Sequence, residues 1–214
     1  MVNISIFIEG GALQNDNVNV QTIDNSEKLR ESFHLILSQV ISSDKFNITT
    51  KLGSSNKQTI KFFKKKIQNN KNSLLLIDLD GNKSQKANRI SEFGLIDYYN
   101  KVFFMVQEME AWIISQINVV DSYYEDKYTR KKSDKILSEH KKIKNIHPED
   151  IKKPSVVLKE ILGQYFSRRD NKNRNKKYSK VKDGAELLSL LDSNELRKTF
   201  TDFDDLIKYG FKAK

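Results

Sequence analysis

The chain has 214 residues, with 38 Lys and Arg against 28 Asp and Glu and a net charge of +10. It contains no Cys, which excludes a disulfide framework and a thiolate zinc site. No apolar run reaches the roughly 18 residues of a membrane helix. The positive excess suits a protein that binds polyanions, nucleic acid foremost, and equally a solvated lysine-rich surface. The opening MVNISIFIEGG has no basic stretch ahead of its apolar residues, so a signal peptide is not expected and a cytoplasmic location is.

Val2, Ile4, Ile6 and Ile8 alternate and Phe7 is also apolar, so residues 2–8 read as a strand buried on both faces. Glu9, Gly10 and Gly11 end it. Asp24 with Glu27 has the capping-box pattern, and Leu29, Phe33, Ile36, Leu37, Val40 and Ile41 follow at helical spacing. Phe46, Ile48, Thr50 and Leu52 alternate as a second strand, which Gly53 breaks. Ile60, Phe63 and Ile67 mark a second amphipathic helix, and residues 73–78 a third strand. A loop and a short helix lead to a fourth strand, KVFFMV at 101–106, running into a helix from Glu108 to about Val120. The order βαβαβαβα predicts a parallel, Rossmann-like sheet of about four strands with helices on both faces.

The second half reads differently, with no strand expected after residue 106. Residues 123–150 are highly charged and helical in part. Pro154 suits the first turn of a helix over 153–166. Residues 167–182 read as a basic loop in which eight Lys or Arg against one Asp leave a net +7. Residues 183–200 read as one helix with Asp183 as its N-cap. The expected division is an α/β core, 1–122, with a helical, basic extension, 123–214, packed on it.

Ligands of a parallel sheet gather beyond the carboxyl ends of its strands. Glu9 falls there after the first strand, and Asp78 and Asp80 after the third. The two aspartates are two positions apart and can point to one side of an extended chain. A carboxylate beside so apolar a strand needs a neutraliser: solvent, an arginine, a proton or a metal ion. An oxygen-rich, cysteine-free cluster suits Mg²⁺ or Mn²⁺, and an ordinary solvated loop start is the competing reading. A calcium-hand loop is excluded, because Lys83 and Arg89 occupy the places of its Gly and Glu. Asn82 stands where aspartate-nucleophile phosphatases carry Thr or Val. Glu110 opens a helix at the end of the fourth strand and is a fourth candidate ligand, or a capping group, with Gln107 on the same helical face. Trp112 is expected in the core, and His34, His140 and His147 show no ligand spacing.

The strand-Glu9-Gly10 and strand-Asp78-x-Asp80-Gly81 pattern resembles the TOPRIM fold of topoisomerases, primases and the overcoming-lysogenization-defect (OLD) nucleases. FIEGG, LRESFHLIL, LLLIDLDG, FFMVQEMEAWIISQ, IKKPSVVLKEIL and KYSKVKDGAELLSLLD together resemble a bacterial TOPRIM-like family marked by the segment MVQxMEAW. Members and their relatives often accompany ABC-type ATPases in anti-phage defence loci. The resemblance therefore implies a metal-dependent nuclease acting with an ATPase partner. Glu9, Asp78, Asp80 and Glu110 would hold the metal. Lys180 would match the lysine that OLD nucleases place near their metals, where it could stabilise developing negative charge. Phosphate-backbone contacts would come from Arg168, Arg169, Lys172, Arg174, Lys176, Lys177, Tyr178 and Lys182. The loop GSSNK departs from the family by offering Ser55 and Asn56 where an Arg is common, so no phosphate-binding Arg carries over. A non-catalytic adaptor that binds an ATPase and nucleic acid is the alternative.

Overall fold

A computed structural model describes residues 1–11, 20–131, 135–170, 174–180 and 182–211. Four strands, β1 (Val2–Glu9), β2 (Phe46–Gly53), β3 (Ser73–Asp78) and β4 (Val102–Met105), form one parallel sheet in the order β2-β1-β3-β4. This is the Rossmann-like arrangement expected. The strands read as continuous apolar runs because both sheet faces are covered. Ile4, Ile6, Ile8, Leu74, Leu76, Phe103 and Met105 lie on one face, in a cluster that also takes in Leu29, Phe33, Ile36 and Leu37 of helix α1 (Val20–Ser38). Phe7, Leu75, Ile77, Val102 and Phe104 lie on the other, in a cluster with Ile60 and Phe63 of helix α2 (Asn56–Ile67).

Helix boundaries differ from the periodicity in instructive ways. Helix α1 begins at Val20, so Asp24 and Glu27 lie inside it rather than at its cap. Helix α2 starts ahead of its first core residue because the Ser55 hydroxyl caps it, accepting from the Gln58 amide. A short helix, α3 (Lys86–Glu92), and a 3₁₀ turn at Ile96–Lys101 connect β3 to β4.

The single helix expected after β4 is two, α4 (Glu110–Ser115) and α5 (Ile117–Lys127). The break falls at Gln116, whose side chain is drawn away to the backbone of Asp192: its Nε2 donates to the carbonyl and its Oε1 accepts from the amide. Gln107 lies outside both helices with φ 64°, and its side chain donates to the Glu149 carbonyl. It therefore shares no helical face with Glu110.

Beyond β4 a two-strand antiparallel ribbon joins β5 (Thr129–Arg130) to β6 (Phe166–Ser167), against the expectation of no strand there. Two residues are too few for alternation to register. Helix α6 (Pro154–Tyr165) opens on its proline as read. The segment read as one helix from residue 183 is divided into α7 (Asp183–Ser189), α8 (Ser193–Thr199) and α9 (Thr201–Gly210). Asp192 causes the first division by capping α8, accepting from the amides of Asn194 and Glu195. Asp183 is the first residue of α7, not its N-cap.

The C-terminal half shares the core of the sheet. One apolar cluster runs from Ile4 to Ile207, with Trp112 inside it, edge-on to Phe33 and Phe203. Helix α9 covers the free edge of β4: Asp202 accepts from the Phe104 amide at 3.1 Å and from Lys86 Nζ at 2.8 Å. This aspartate is buried, and removing it strands both a strand-edge amide and an ammonium. Asp202→Ala is expected to lower the unfolding free energy by about 3 kcal/mol in urea titration. A loss below about 1 kcal/mol would mean that the helix docks by its apolar face alone.

Candidate active site

The strand order places the topological switch point between β1 and β3, because the chain leaves β1 in one direction to β2 and later crosses to its other side for β3. Glu9 ends β1 and Asp78 ends β3, so both stand at that crevice. The Asp78 amide donates to Glu9 Oε2 at 3.2 Å. Gly10 turns the chain away with φ 130°, and a side chain there would meet Leu29 at 2.9 Å. Its amide bonds the Gly53 carbonyl at 2.7 Å, which ties the ends of β1 and β2.

Asp78 is buried, and each of its oxygens has a partner. The Met109 amide donates to Oδ1 at 2.9 Å, and Lys180 Nζ donates to Oδ2 at 3.2 Å. The same ammonium lies 3.7 Å from Glu110 Oε2. Glu110 is completely buried, and its other oxygen accepts from the Tyr178 hydroxyl at 3.0 Å. The cation beside Asp78 is thus a lysine 102 residues away in sequence, a neutraliser not among the four considered from the strand alone.

Asp80 is exposed and left-handed, φ 53°, a conformation that Asp tolerates better than most residues. It is held by paired backbone bonds with the equally left-handed Gln107: the Asp80 amide donates to the Gln107 carbonyl, and the Gln107 amide to the Gly81 carbonyl, each at 2.9 Å. Asn56 completes the site. Its Nδ2 reaches the Asp78 carbonyl and Asp80 Oδ2, both at 3.4 Å. Asn56 and the Met109 amide were not among the candidate residues. The signal for Asn56 was its place in the loop after β2, at the sheet edge that Glu9 and Asp78 share.

Burial pushes the Asp78 carboxyl up to about 7, with Lys180 opposing and Glu9 and Glu110 adding to the rise. Burial also raises Glu9, against the Asp78 amide and with the help of Asp80. Burial raises Glu110, against Lys180. Burial works against the Lys180 ammonium, yet Asp78 and Glu110 hold its pKa above the ordinary lysine value.

The donor set is all oxygen, which fits a hard divalent cation in kind. Glu110 Oε2 is buried with no hydrogen-bond partner among the described residues, so the site has unused acceptor capacity. Among the described residues, however, no three His, Cys, Asp or Glu side chains stand ready to share one ion. The Lys180 ammonium lies against both Asp78 and Glu110, Glu9 is turned to the Asp78 amide, and Asp80 is turned to Asn56. A cleft of about 330 Å³ opens beside the cluster, lined by Glu9, Gly10, Gly11, Ser54 and Lys180.

Arg168, Arg169, Arg174, Lys176, Lys177 and Lys182 line a separate concavity of about 740 Å³. They are not equivalent. Lys176 is tied to Asp183 at 2.8 Å and lies over the rings of Tyr124 and Tyr128. Arg168 pairs with Asp170, and Arg169 donates to the carbonyls of Glu125 and Asp126. Arg174, Lys177 and Lys182 are exposed and form no ion pair with another described residue. Tyr178, expected to contact nucleic acid, is instead buried, because its hydroxyl is drawn inward to Glu110. Lys172 lies outside the described residues.

The raised Asp78 pKa sets a sign for stability against pH. Between its ordinary value of 3.8 and about 7, the folded chain holds a proton there that the unfolded chain has lost. Stability therefore falls as pH rises through that window. In metal-free buffer, wild-type protein should lose stability between pH 5 and pH 8, and Asp78→Asn should lose markedly less, as read by urea unfolding at each pH. Equal losses in the two proteins would show that ionisation of Asp78 costs the fold nothing.

No curated protein and no solved structure matches the chain. The model of the family described as domain of unknown function DUF4276 matches residues 26–209, which covers β2, β3, β4, the Asp78 and Asp80 turn, Glu110 and Lys180. By that match, the chain belongs to the DUF4276 family.

Proposed function

We propose that this protein is a metal-dependent nuclease of the TOPRIM type, an effector that hydrolyses phosphodiester bonds in DNA or RNA and acts in the cytoplasm with an ABC-type ATPase in anti-phage defence. The observation that carries the enzymatic reading is the gathering of Glu9, Asp78, Asp80, Glu110 and Lys180 at the switch point of a parallel sheet. Those groups come from four distant segments, and such convergence at a strand-end crevice is the usual placing of a ligand site. The ATPase and the defence role rest on the resemblance carried by MVQEMEAW and the neighbouring blocks. No helix among the described residues is long and apolar enough to cross a membrane.

Glu9, Asp78, Asp80 and Glu110 would hold Mg²⁺ or Mn²⁺, which would supply Lewis-acid polarisation of the phosphodiester and a lower pKa for the attacking water. The Met109 amide fixes the Asp78 rotamer, Asn56 steadies Asp80, and Tyr178 steadies Glu110. Lys180 borders the cleft beside Glu9, within the reach of a phosphate entering there. Arg174, Lys177 and Lys182 offer exposed positive charge to a backbone that need not be read by sequence.

One observation favours the non-catalytic adaptor as the second reading. The Lys180 ammonium already stands against Asp78 and Glu110, so a cation of the chain's own occupies the place an ion would take.

Cleavage of plasmid, single-stranded DNA and tRNA with Mg²⁺ or Mn²⁺, in the presence and absence of the ATPase, separates the two. Glu9→Gln and Asp78→Asn should each reduce cleavage at saturating substrate by roughly 10²-fold or more, since removing a ligand forfeits several kcal/mol of transition-state stabilisation. Wild-type protein that cuts nothing with its ATPase present would give the adaptor reading. Binding supplies an independent check. Replacing Arg174, Lys177 and Lys182 together should flatten the slope of log affinity against log salt by about 2.7 on duplex DNA. An unchanged slope would place the nucleic-acid face elsewhere.

A further inference from the structure

Lys180 belongs to two environments at once. Its side chain is 46% exposed, yet it lies against two carboxylates that are 7% and 0% exposed. Its Nζ lies 3.2 Å from Asp78 Oδ2 but 3.7 Å from Glu110 Oε2, beyond hydrogen-bond length, and that glutamate oxygen has no hydrogen-bond partner among the described residues. The lysine also borders the cleft beside Glu9. Two residues earlier the chain is pinned by Tyr178 on Glu110 at 3.0 Å, so the backbone is held while a flexible four-carbon stem carries the charge. The same segment supplies Lys176, Lys177 and Lys182 to the basic concavity.

We propose that Lys180 is the resident counter-cation of Asp78 and Glu110, and that it and a divalent cation are alternative occupants of one place. Cation binding then releases the Lys180 ammonium into the cleft beside Glu9. This rests on the metal-dependent reading above. Two buried carboxylates, once ionised, are stabilised by a positive charge nearby, whether ammonium or metal ion. A single ammonium satisfies Asp78 and leaves Glu110 Oε2 unbonded, whereas a doubly charged ion can engage both. The two cations repel each other, so they do not share the place. The coupling is reciprocal. A phosphate that draws Lys180 outward strengthens the hold on the ion, and the ion frees Lys180 for the phosphate. In this way the substrate and the metal assemble the site together.

The test uses Mn²⁺ alone, with no turnover. Calorimetric titration compares the wild type, Lys180→Met, Lys180→Arg and the surface control Lys57→Met. Mass spectrometry follows the acetylation rate of Lys180 in the wild type with and without saturating Mn²⁺. Lys180→Met should bind Mn²⁺ roughly tenfold tighter than wild type, while Lys180→Arg binds no tighter and Lys57→Met stays within about twofold. Mn²⁺ should speed acetylation of Lys180 by about fivefold or more, and that of Lys177 hardly at all. Equal affinity of wild type and Lys180→Met would overturn the exchange and leave the metal reading standing. Tighter binding without faster acetylation would also overturn it, because the lysine would then repel the ion without leaving. Failure of wild type and Lys180→Met alike to bind Mn²⁺ would overturn the metal reading itself. Should Lys180→Met fail to fold, the acetylation rates of the wild type decide the matter alone.

Discussion

Everything at the crevice depends on how Asp78 is compensated at the end of a strand whose neighbours are all apolar. A carboxylate buried there is costly unless charge and hydrogen bonds replace the water it loses. The fold supplies an amide from Met109 and an ammonium from Lys180. Even so, the balance is close: the Asp78 carboxyl sits at about 7, so burial outweighs the lysine. Sites whose carboxylates are held off balance in this way are well suited to chemistry, because a ligand that improves the compensation gains affinity from the strain it relieves.

That requirement ties the C-terminal half to the α/β half. The α/β half brings Glu9, Asp78 and Asp80 to one edge through strand order alone. It does not supply the cation. Lys180 and Tyr178 come from the segment ahead of α7, and α7 packs against α1 in the shared apolar cluster. Ser32 of α1 donates to the Ala185 carbonyl at 2.7 Å, a buried bond that fixes this packing. The acidic crevice and the basic concavity are thereby joined by one stretch of chain, so that a polyanion in the concavity would lie along the segment that carries the counter-cation.

The sheet was legible in the sequence because both of its faces are buried, so Ile4, Ile6 and Ile8, and the Leu74–Ile77 run, leave an apolar trace that solvent-exposed strands lack. Glu9 and Asp78 were legible because parallel topology puts strand ends on one edge. What escaped were features set by single distant contacts. Gln116, where α4 gives way to α5, is tied to the Asp192 backbone, and Asp192 divides the next helical stretch by capping α8. Tyr178 looked like part of a basic, nucleic-acid-facing run, since local composition cannot show that its hydroxyl meets Glu110, 68 residues earlier. The same limit hid the role of Lys180 as the partner of Asp78. Its position could be aligned with a family pattern, but the salt bridge is a fact of packing.

If the switch-point carboxylates are a divalent-cation site with a lysine in residence, anomalous scattering from crystals grown with Mn²⁺ shows it most directly. A peak is expected at the carboxyl ends of β1 and β3, about 2.1 Å from oxygens of Asp78 and at least one of Glu9, Asp80 and Glu110, with the Lys180 ammonium moved away from Asp78. A well-occupied Mn²⁺ peak elsewhere on the protein, with Lys180 still against Asp78 and Glu110, would contradict it.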